Sequence, residues 1–501
     1  MSESARPDVV VVIFDALRAA EFPGGPDAIG RMPFTSKLLA ESIYFPRATS
    51  VTPWTIPAHA SAFTGLYPWE HGCHAKNNLV LSPSVPRLPS ALRTVGYRSL
   101  LLSSNPLVCP RFGLADGFDE AGWGIWLETY LRRFRTQRPP STLQDERAES
   151  TFLGHFRDGP IGRVVINSTE AAFRYPFLFD VLDQMHQKLA GGNGGRDIST
   201  SPWIEPSLAD WVGRQPKSTP LFCAINICDT HEPYYWPPGW ADGLGAWWSR
   251  AKVRQDFVKC ISGEWKPNER ELKVLRDLYL FTVENTDRRL AQIARIFQDA
   301  GRWENTMLIA TSDHGQAFGE HGELFHLNGV IDPMLRVPII YRPAGGARKP
   351  ARAQGWASLI DIAPTVLRDA GAPEMNLPSA VPLQDLVERA RPKPVFAVSD
   401  GLVWNHLKKV VPQDRKAEFD RLRVVAYSDR WKLITDCTRK ESFAYDLDAD
   451  PGELDDRWRA TQGELSAISA EAAAIGDSMT RGPPVPLTSE IEERLKSWGY
   501  L

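Results

Sequence analysis

Three short apolar runs constrain this chain more than any other feature. They are Val9-Val-Val-Val-Ile-Phe14, Leu221-Phe-Cys-Ala-Ile-Asn-Ile227 and Met307-Leu-Ile-Ala310. They lack the apolar/polar alternation of a strand with one wet face, and they suit parallel strands buried on both sides. Each runs at once into side chains that can bind a ligand: Asp15, then Asp229 and His231, then Asp313 and His314. Open α/β sheets gather their ligands at the carboxyl ends of strands. Helical patterns separate the runs. One extends from about Glu269 to Gly301, with Leu290, Ile293 and Phe297 at helical spacing and Gly301 as a stop. The alternation predicts an α/β fold with a mostly parallel central sheet, helices on both faces, and a small C-terminal α+β unit.

The 501 residues divide accordingly. Residues 1–371 read as an α/β catalytic domain carrying an inserted subdomain or lid at about 120–215. A proline- and charge-rich connector follows at about 372–394, and residues 395–501 form the C-terminal subdomain, with strands at Arg423–Tyr427 and Trp431–Ile434. The insert holds Arg132, Arg133, Arg135 and Arg138, an amphipathic helix pattern from Phe177 to Leu189, and a glycine-rich string at 191–195. That string reads as a flexible linker. A phosphate loop would need a preceding strand and a following Lys-Ser/Thr. The arginines suit a solvated face or, less simply, an anionic substrate.

Charge and apolar patterning exclude several classes. The formal net charge of -3 gives no reason to expect nucleic-acid or general membrane binding. No stretch of about 20 apolar residues occurs, so no membrane span is expected. The polar first residues predict a cytoplasmic protein. Six cysteines without a Cys-x-x-Cys pair read as reduced thiols. The oligomeric state is not legible in the sequence.

Thr55 opens a further pattern. Thr55-Ile-Pro57 fits a helix start, with Gly65 as its stop. The hydroxyl could therefore be a plain cap. A helix N-terminus also favours a developing negative charge, and a hydroxyl beside it becomes a nucleophile once a metal or base activates it. Asp15, Asp313, His314 and the Thr55 oxygen together make a mixed O/N cation site.

At these residues the chain resembles the sulfatase branch of the alkaline-phosphatase superfamily. The resemblance runs from Asp8 to about Glu453, outside the 120–215 insert. It rests on Val11-Val-Ile-Phe-Asp15-Ala-Leu-Arg18, on Thr55-x-Pro57 through Thr64-Gly65-x-Tyr67-Pro68 and His71-Gly72, and on Gly96-Tyr97. Further along come Asp229-x-His231-x-Pro233-Tyr234, Thr311-Ser-Asp313-His314-Gly315 with Gly319-Glu-His-Gly322, Arg336-Val-Pro-Ile-Ile340 and Asp361-Ile-Ala-Pro364-Thr365. Arg430-Trp-Lys-Leu-Ile434, Tyr445-Asp-Leu447 and Asp450-Pro-Gly-Glu453 complete the series.

The departures narrow the chemistry that the resemblance implies. Type I sulfatases carry Cys-x-Pro-Ser-Arg and oxidise the cysteine to formylglycine. Here Thr55, Pro57, Ala58 and His59 stand in those places, and threonine cannot form formylglycine. Ala16 replaces the second opening aspartate, and His314 replaces the usual asparagine. Ser103-Ser104-Asn105-Pro106 stands where the family's sulfate clamp lies. The set is more like the threonine-type, phospho-transferring members.

The resemblance thus implies one divalent cation on Asp15, Thr55, Asp313 and His314, with manganese, zinc, calcium and magnesium all compatible. A second cation could be reached by His231 and His326, with Asp229 as a carboxylate partner. Thr55, His231 and His326 are the expected catalytic residues; His59, Asn105, His231 and His326 are the expected contacts to a small anionic ester substrate. His231 could equally be a loop residue holding its own turn. The aromatic group Tyr234, Tyr235, Trp236, Trp240, Trp247 and Trp248 reads as packing under the insert or as a pocket wall.

A threonine ester has no aldehyde to collapse into, so it must be displaced in line at phosphorus or sulfur. Cleavage of a phosphate ester or diester, or of a phosphonate ester, is the expected activity. The alternatives are a sulfate-ester or sulfamate hydrolase without formylglycine, a phospho- or sulfo-transferase of small-molecule biosynthesis, and a non-catalytic binding protein on the same scaffold.

Overall fold

The computed structural model describes residues 6–23, 32–77, 79–105, 107–123, 201–232, 234, 257–389, 391–401 and 411–480. The arginine-rich piece at 132–138, the helix pattern at 177–189, the glycine string at 191–195 and the aromatic residues from Tyr235 to Trp248 lie outside them.

Sixteen strands occur among the described residues. They are β1 (Asp8–Phe14), β2 (Ile43–Phe45), β3 (Ala48–Thr49), β4 (Arg98–Ser103), β5 (Glu120–Trp123), β6 (Leu221–Ile227), β7 (Thr306–Ser312), β8 (Ala317–Phe318), β9 (Leu324–Phe325), β10 (Ile339–Arg342), β11 (Ala351–Arg352), β12 (Ala357–Ser358), β13 (Val395–Ser399), β14 (Arg423–Ser428), β15 (Trp431–Asp436) and β16 (Glu441–Asp446). Eight form the central sheet, in the order β11-β2-β10-β7-β1-β6-β4-β5. β1 lies between β6 and β7 and pairs with both in parallel. β10 alone runs against its neighbours β7 and β2. The three apolar runs are therefore the three central strands, and β1, β6 and β7 are buried along their whole lengths. One apolar layer packs Val9, Val11 and Ile13 under the helix Thr55–Thr64; the other packs Val10, Val12 and Phe14 under the helix Glu269–Asp299.

The long helix follows its sequence signals. Asn268 caps it, accepting from the Glu271 amide while Glu271 answers the Asn268 amide. The span expected to hold the insert contributes β5, the edge strand beside β4, and the helix Ile204–Arg214, which packs on the long helix. Toward the C-terminus, β13 to β16 form a four-stranded antiparallel sheet backed by the helix Trp458–Thr480. All six cysteines are free thiols. No helix of the described residues is long and apolar enough to cross a membrane.

A buried ion cluster joins the C-terminal sheet to the short helix beside the central sheet. Lys432 on β15 is fully buried, with Nζ 3.0 Å from Asp332 Oδ1 and in contact with Glu453 Oε1. The Tyr427 hydroxyl donates to the same Asp332 oxygen over 2.9 Å. Asp332 opens the short helix Asp332–Leu335, whose carbonyls at Met334 and Leu335 accept from Gly315 and Ser50. Removing one partner of a buried ion pair strands the other, at a cost of about 3–5 kcal/mol. Lys432→Met should lower stability by about that amount, read from the urea midpoint. A loss below about 1 kcal/mol would show that the cluster is not a structural joint.

Candidate active site

β1, β4, β6 and β7 deliver their functional residues to one edge of the sheet. Asp15 follows β1, and its amide donates to Ile227 O at the end of β6. Ala16 then takes a left-handed conformation, φ +62°, uncommon for a residue with a side chain. The turn lets the Ala16 amide donate to Asp313 Oδ1 over 3.1 Å. Asp313 Oδ1 also accepts from the His314 amide, at 2.8 Å. Gly315 comes next because nothing larger fits: a Cβ there would lie 2.2 Å from the Pro333 carbonyl oxygen.

Thr55 enters from above the sheet. Its helix, Thr55–Thr64, is buried at all ten positions and ends at Gly65, whose φ of +71° forms the left-handed cap. The spacing suggested Thr55 as the cap. Instead Trp54 holds the cap position in an extended conformation, with no side-chain cap bond, and Thr55 is the first helical residue. The Thr55 hydroxyl faces His314 Nε2 at 3.4 Å.

These residues converge on one point. His314 Nδ1 donates to the Gly315 carbonyl, so Nε2 carries the lone pair. That nitrogen lies 3.5 Å from Asp313 Oδ2 and 3.8 Å from Asp15 Oδ1. Both of those oxygens are buried and accept no hydrogen bond. The ligand atoms of Asp15, Asp313 and His314 lie within 4.8 Å of one another. Two buried carboxylate oxygens without donors, facing an imidazole lone pair and a hydroxyl, form a set that a divalent cation completes.

Charge balance leads to the same place. Burial raises Asp15, but the His231 charge and the Asn105 hydrogen bond lead the effects that outweigh it and hold the carboxyl below its ordinary range. Burial, and then the Asp15 charge, push Asp313 well above that range. The two carboxyls thus resist carrying two charges together, and Asp313 is the one driven toward its protonated form. Burial, reinforced by His326, brings His314 down to about 3, so its ring is neutral near neutral pH.

The other expected contacts fall in different places. Asn105 is buried and donates to Asp15 Oδ2 at 2.6 Å, so it orients the metal-ligand candidate. His59 is fully buried. Its Nδ1 donates to the Thr55 carbonyl at 2.9 Å and its Nε2 accepts from Asn226 at 3.1 Å, which fixes the backbone beneath the hydroxyl. Asp229 accepts from Asn285 at 2.6 Å and from Arg289 at 3.1 Å. His231 and His326 come together, Nε2 to Nε2, at 3.0 Å. The His326 ring stacks on His314 with centroids 4.4 Å apart and meets Trp54 edge-on. Glu232, not singled out in the sequence, stands beside both histidines, and His326 Nε2 is 3.5 Å from its Oε1. Burial opposes its ionisation, but His231 and His326 overcome that and bring it down to about 2.

Comparison with known proteins agrees with the fold. The family profile described as Sulfatase matches residues 7–372. The chain is 25% identical to an arylsulfatase K of Gallus gallus over 471 residues, 90% of this chain and 79% of the relative. It is 24% identical to the multifunctional alkaline phosphatase superfamily protein PehA of Trinickia caryophylli, across 73% of this chain and 74% of that protein. Among solved structures, the phosphonate monoester hydrolase of Agrobacterium radiobacter superposes with a TM-score of 0.63 at 18% identity, covering 95% of each chain.

Proposed function

The chain belongs to the sulfatase family, and from that premise we propose that it is a metal-dependent hydrolase that cleaves a phosphate ester or diester, or a phosphonate ester, through a covalent Thr55 intermediate. The observation that carries this reading is the Thr55 hydroxyl, 3.4 Å from His314 Nε2, at the start of a fully buried helix beside the two undonated oxygens of Asp15 and Asp313. A divalent cation held by Asp15, Asp313 and His314 would supply the charge that lowers the Thr55 pKa and neutralises oxygens during transfer.

The protein's own groups do the rest. The helix N-terminus stabilises negative charge at Thr55. Asn105 holds the Asp15 carboxylate, and His59 holds the Thr55 carbonyl, so the nucleophile is positioned before substrate arrives. Thr55 Oγ gives up its proton and forms a bond to phosphorus in line as the bond from phosphorus to the leaving oxygen breaks, and that oxygen takes up one proton to leave as the alcohol, so the proton count is unchanged. Water then attacks the phospho-threonine, and the Thr55 hydroxyl is restored. His231 and His326 face the transferred group.

The threonine itself favours phosphorus. Its ester can leave only by displacement at the transferred atom. Relatives named arylsulfatase and choline-sulfatase support a sulfate ester as the second reading. Parallel assays separate the two. Turnover of an aryl phosphodiester or aryl phosphonate monoester is expected to exceed that of the matching aryl sulfate by at least about tenfold in kcat/KM, a difference of about 1.4 kcal/mol in barrier. The opposite order would transfer the assignment to sulfur.

A further inference from the structure

One side chain of the long helix meets all three strand-end loops of the site. Tyr279 is fully buried on that helix, Glu269–Asp299. Its ring packs against Tyr234, in the loop after β6, with centroids 5.8 Å apart. It also packs against Phe318, which follows Asp313 and His314, with centroids 5.0 Å apart. Its hydroxyl reaches the turn after β1. There it accepts from the Arg18 amide over 2.8 Å and donates to the Ala16 carbonyl over 3.3 Å. Burial pushes the hydroxyl well above its ordinary range, so it keeps the hydrogen that it donates.

That turn sets the direction of Asp15. Ala16, at φ +62°, lies in a region that is costly for a residue with a Cβ. Such strain persists only where the surroundings over-determine it. Here the Ala16 amide is held by Asp313 Oδ1, the Leu17 amide by the Ser312 hydroxyl at 2.8 Å, and the Asp15 carbonyl by the Thr230 hydroxyl at 2.5 Å. The Tyr279 hydroxyl closes the far side, bridging the residues on either side of Leu17. Ala16 and Arg18 are both buried, so without that hydroxyl a buried carbonyl and a buried amide lose their partner. A return of Ala16 to negative φ would relieve the strain and turn the chain next to Asp15.

We propose that Tyr279 is a positioning residue for the site: by locking Ala16 in its left-handed turn, its hydroxyl keeps the Asp15 carboxyl facing Asp313 and His314. Tyr279 acts through the backbone on either side of Leu17 and not on the reacting atoms. Its ring contacts with Tyr234 and Phe318 register the loops after β6 and β7 against the same phenol. This role rests on the proposed function above, in which Asp15, Asp313 and His314 hold a divalent cation.

Metal affinity tests it. Tyr279→Phe keeps the ring and removes the hydroxyl alone. Full-length protein is stripped with chelator and titrated with Mn²⁺ and with Zn²⁺ by calorimetry. Tyr279→Phe should bind about 10–100-fold more weakly than wild type, the range for losing a group that orients a ligand. Adding Ala16→Gly should recover at least about threefold of that loss, because glycine takes positive φ about as readily as negative. A packing role would not be repaired by a change at residue 16. In metal-free wild type the Arg18 amide should exchange with deuterium at least about 10²-fold more slowly than an exposed loop amide, a readout that needs no variant to fold. Fast exchange there, a Tyr279→Phe affinity within about twofold of wild type, or a loss that Ala16→Gly leaves untouched would each overturn the proposal and leave the proposed function standing. No ion bound by the wild type would overturn both.

Discussion

Replacing Thr55 with alanine should lower kcat by at least about 10³-fold, while far-UV circular dichroism and bound metal stay near wild type. The change removes one hydroxyl and one methyl from a residue that is 4% exposed. The contacts that hold its backbone, from the His59 ring to the Thr55 carbonyl, do not involve the side chain. Stability should therefore change by no more than about 1–2 kcal/mol, the cost of a small buried truncation. Thr55→Ser keeps the oxygen and should retain a measurable burst of phospho-enzyme. If Thr55→Ala kept more than a tenth of wild-type turnover, water or another residue would be the attacking group and the covalent route would be wrong.

Asp313→Asn should have the second-largest effect, with opposite signs on activity and on metal-free stability. Asparagine can still accept from the Ala16 and His314 amides through one oxygen. Its amide can also donate toward Asp15, whose Oδ1 has no donor in the wild type. The metal-free variant should therefore melt no lower than the metal-free wild type. Its loss is the cation, and with it at least about 10²-fold in kcat/KM.

The raised Asp313 carboxyl fixes the pH dependence. In the metal-free fold its elevated pKa contributes stability at low pH that is lost as pH rises through the folded value. An incoming cation must also expel that proton, so apparent affinity should fall by about tenfold per pH unit on acidification while one proton is displaced. Thermal-shift titrations at several pH values measure both effects. A variant that showed the wild-type metal-induced shift would exclude Asp313 from the site.

The legible parts of this protein are those in which local sequence and tertiary position agree. The three central strands could be read because burial on both faces leaves no polar alternation, and their last residues could be read as ligands because the chain must turn at a sheet edge. β10 and β2 were not distinguished. They are three or four residues long, and nothing in Ile339–Arg342 says that it runs opposite to β7. Near the site the misses concern turns. Asp229 and Glu232 both flank His231, and only the loop geometry decides which carboxylate joins the imidazoles. A clue was present in Asn285 and Arg289, four residues apart on the buried face of the long helix. A buried arginine requires an anion, and Asp229 fills that need. The Thr55 cap was misplaced by one residue, enough to turn its hydroxyl from the backbone toward His314.

The Lys432–Asp332–Glu453 joint has a consequence for inheritance and design. Through Asp332–Leu335 it braces the very peptide, Gly315, that aims the imidazole of His314. The antiparallel sheet is thus a keystone for chemistry about a hundred residues upstream in the chain. Grafting or randomising that sheet should therefore shift the His314 imidazole as well as the stability of the fold.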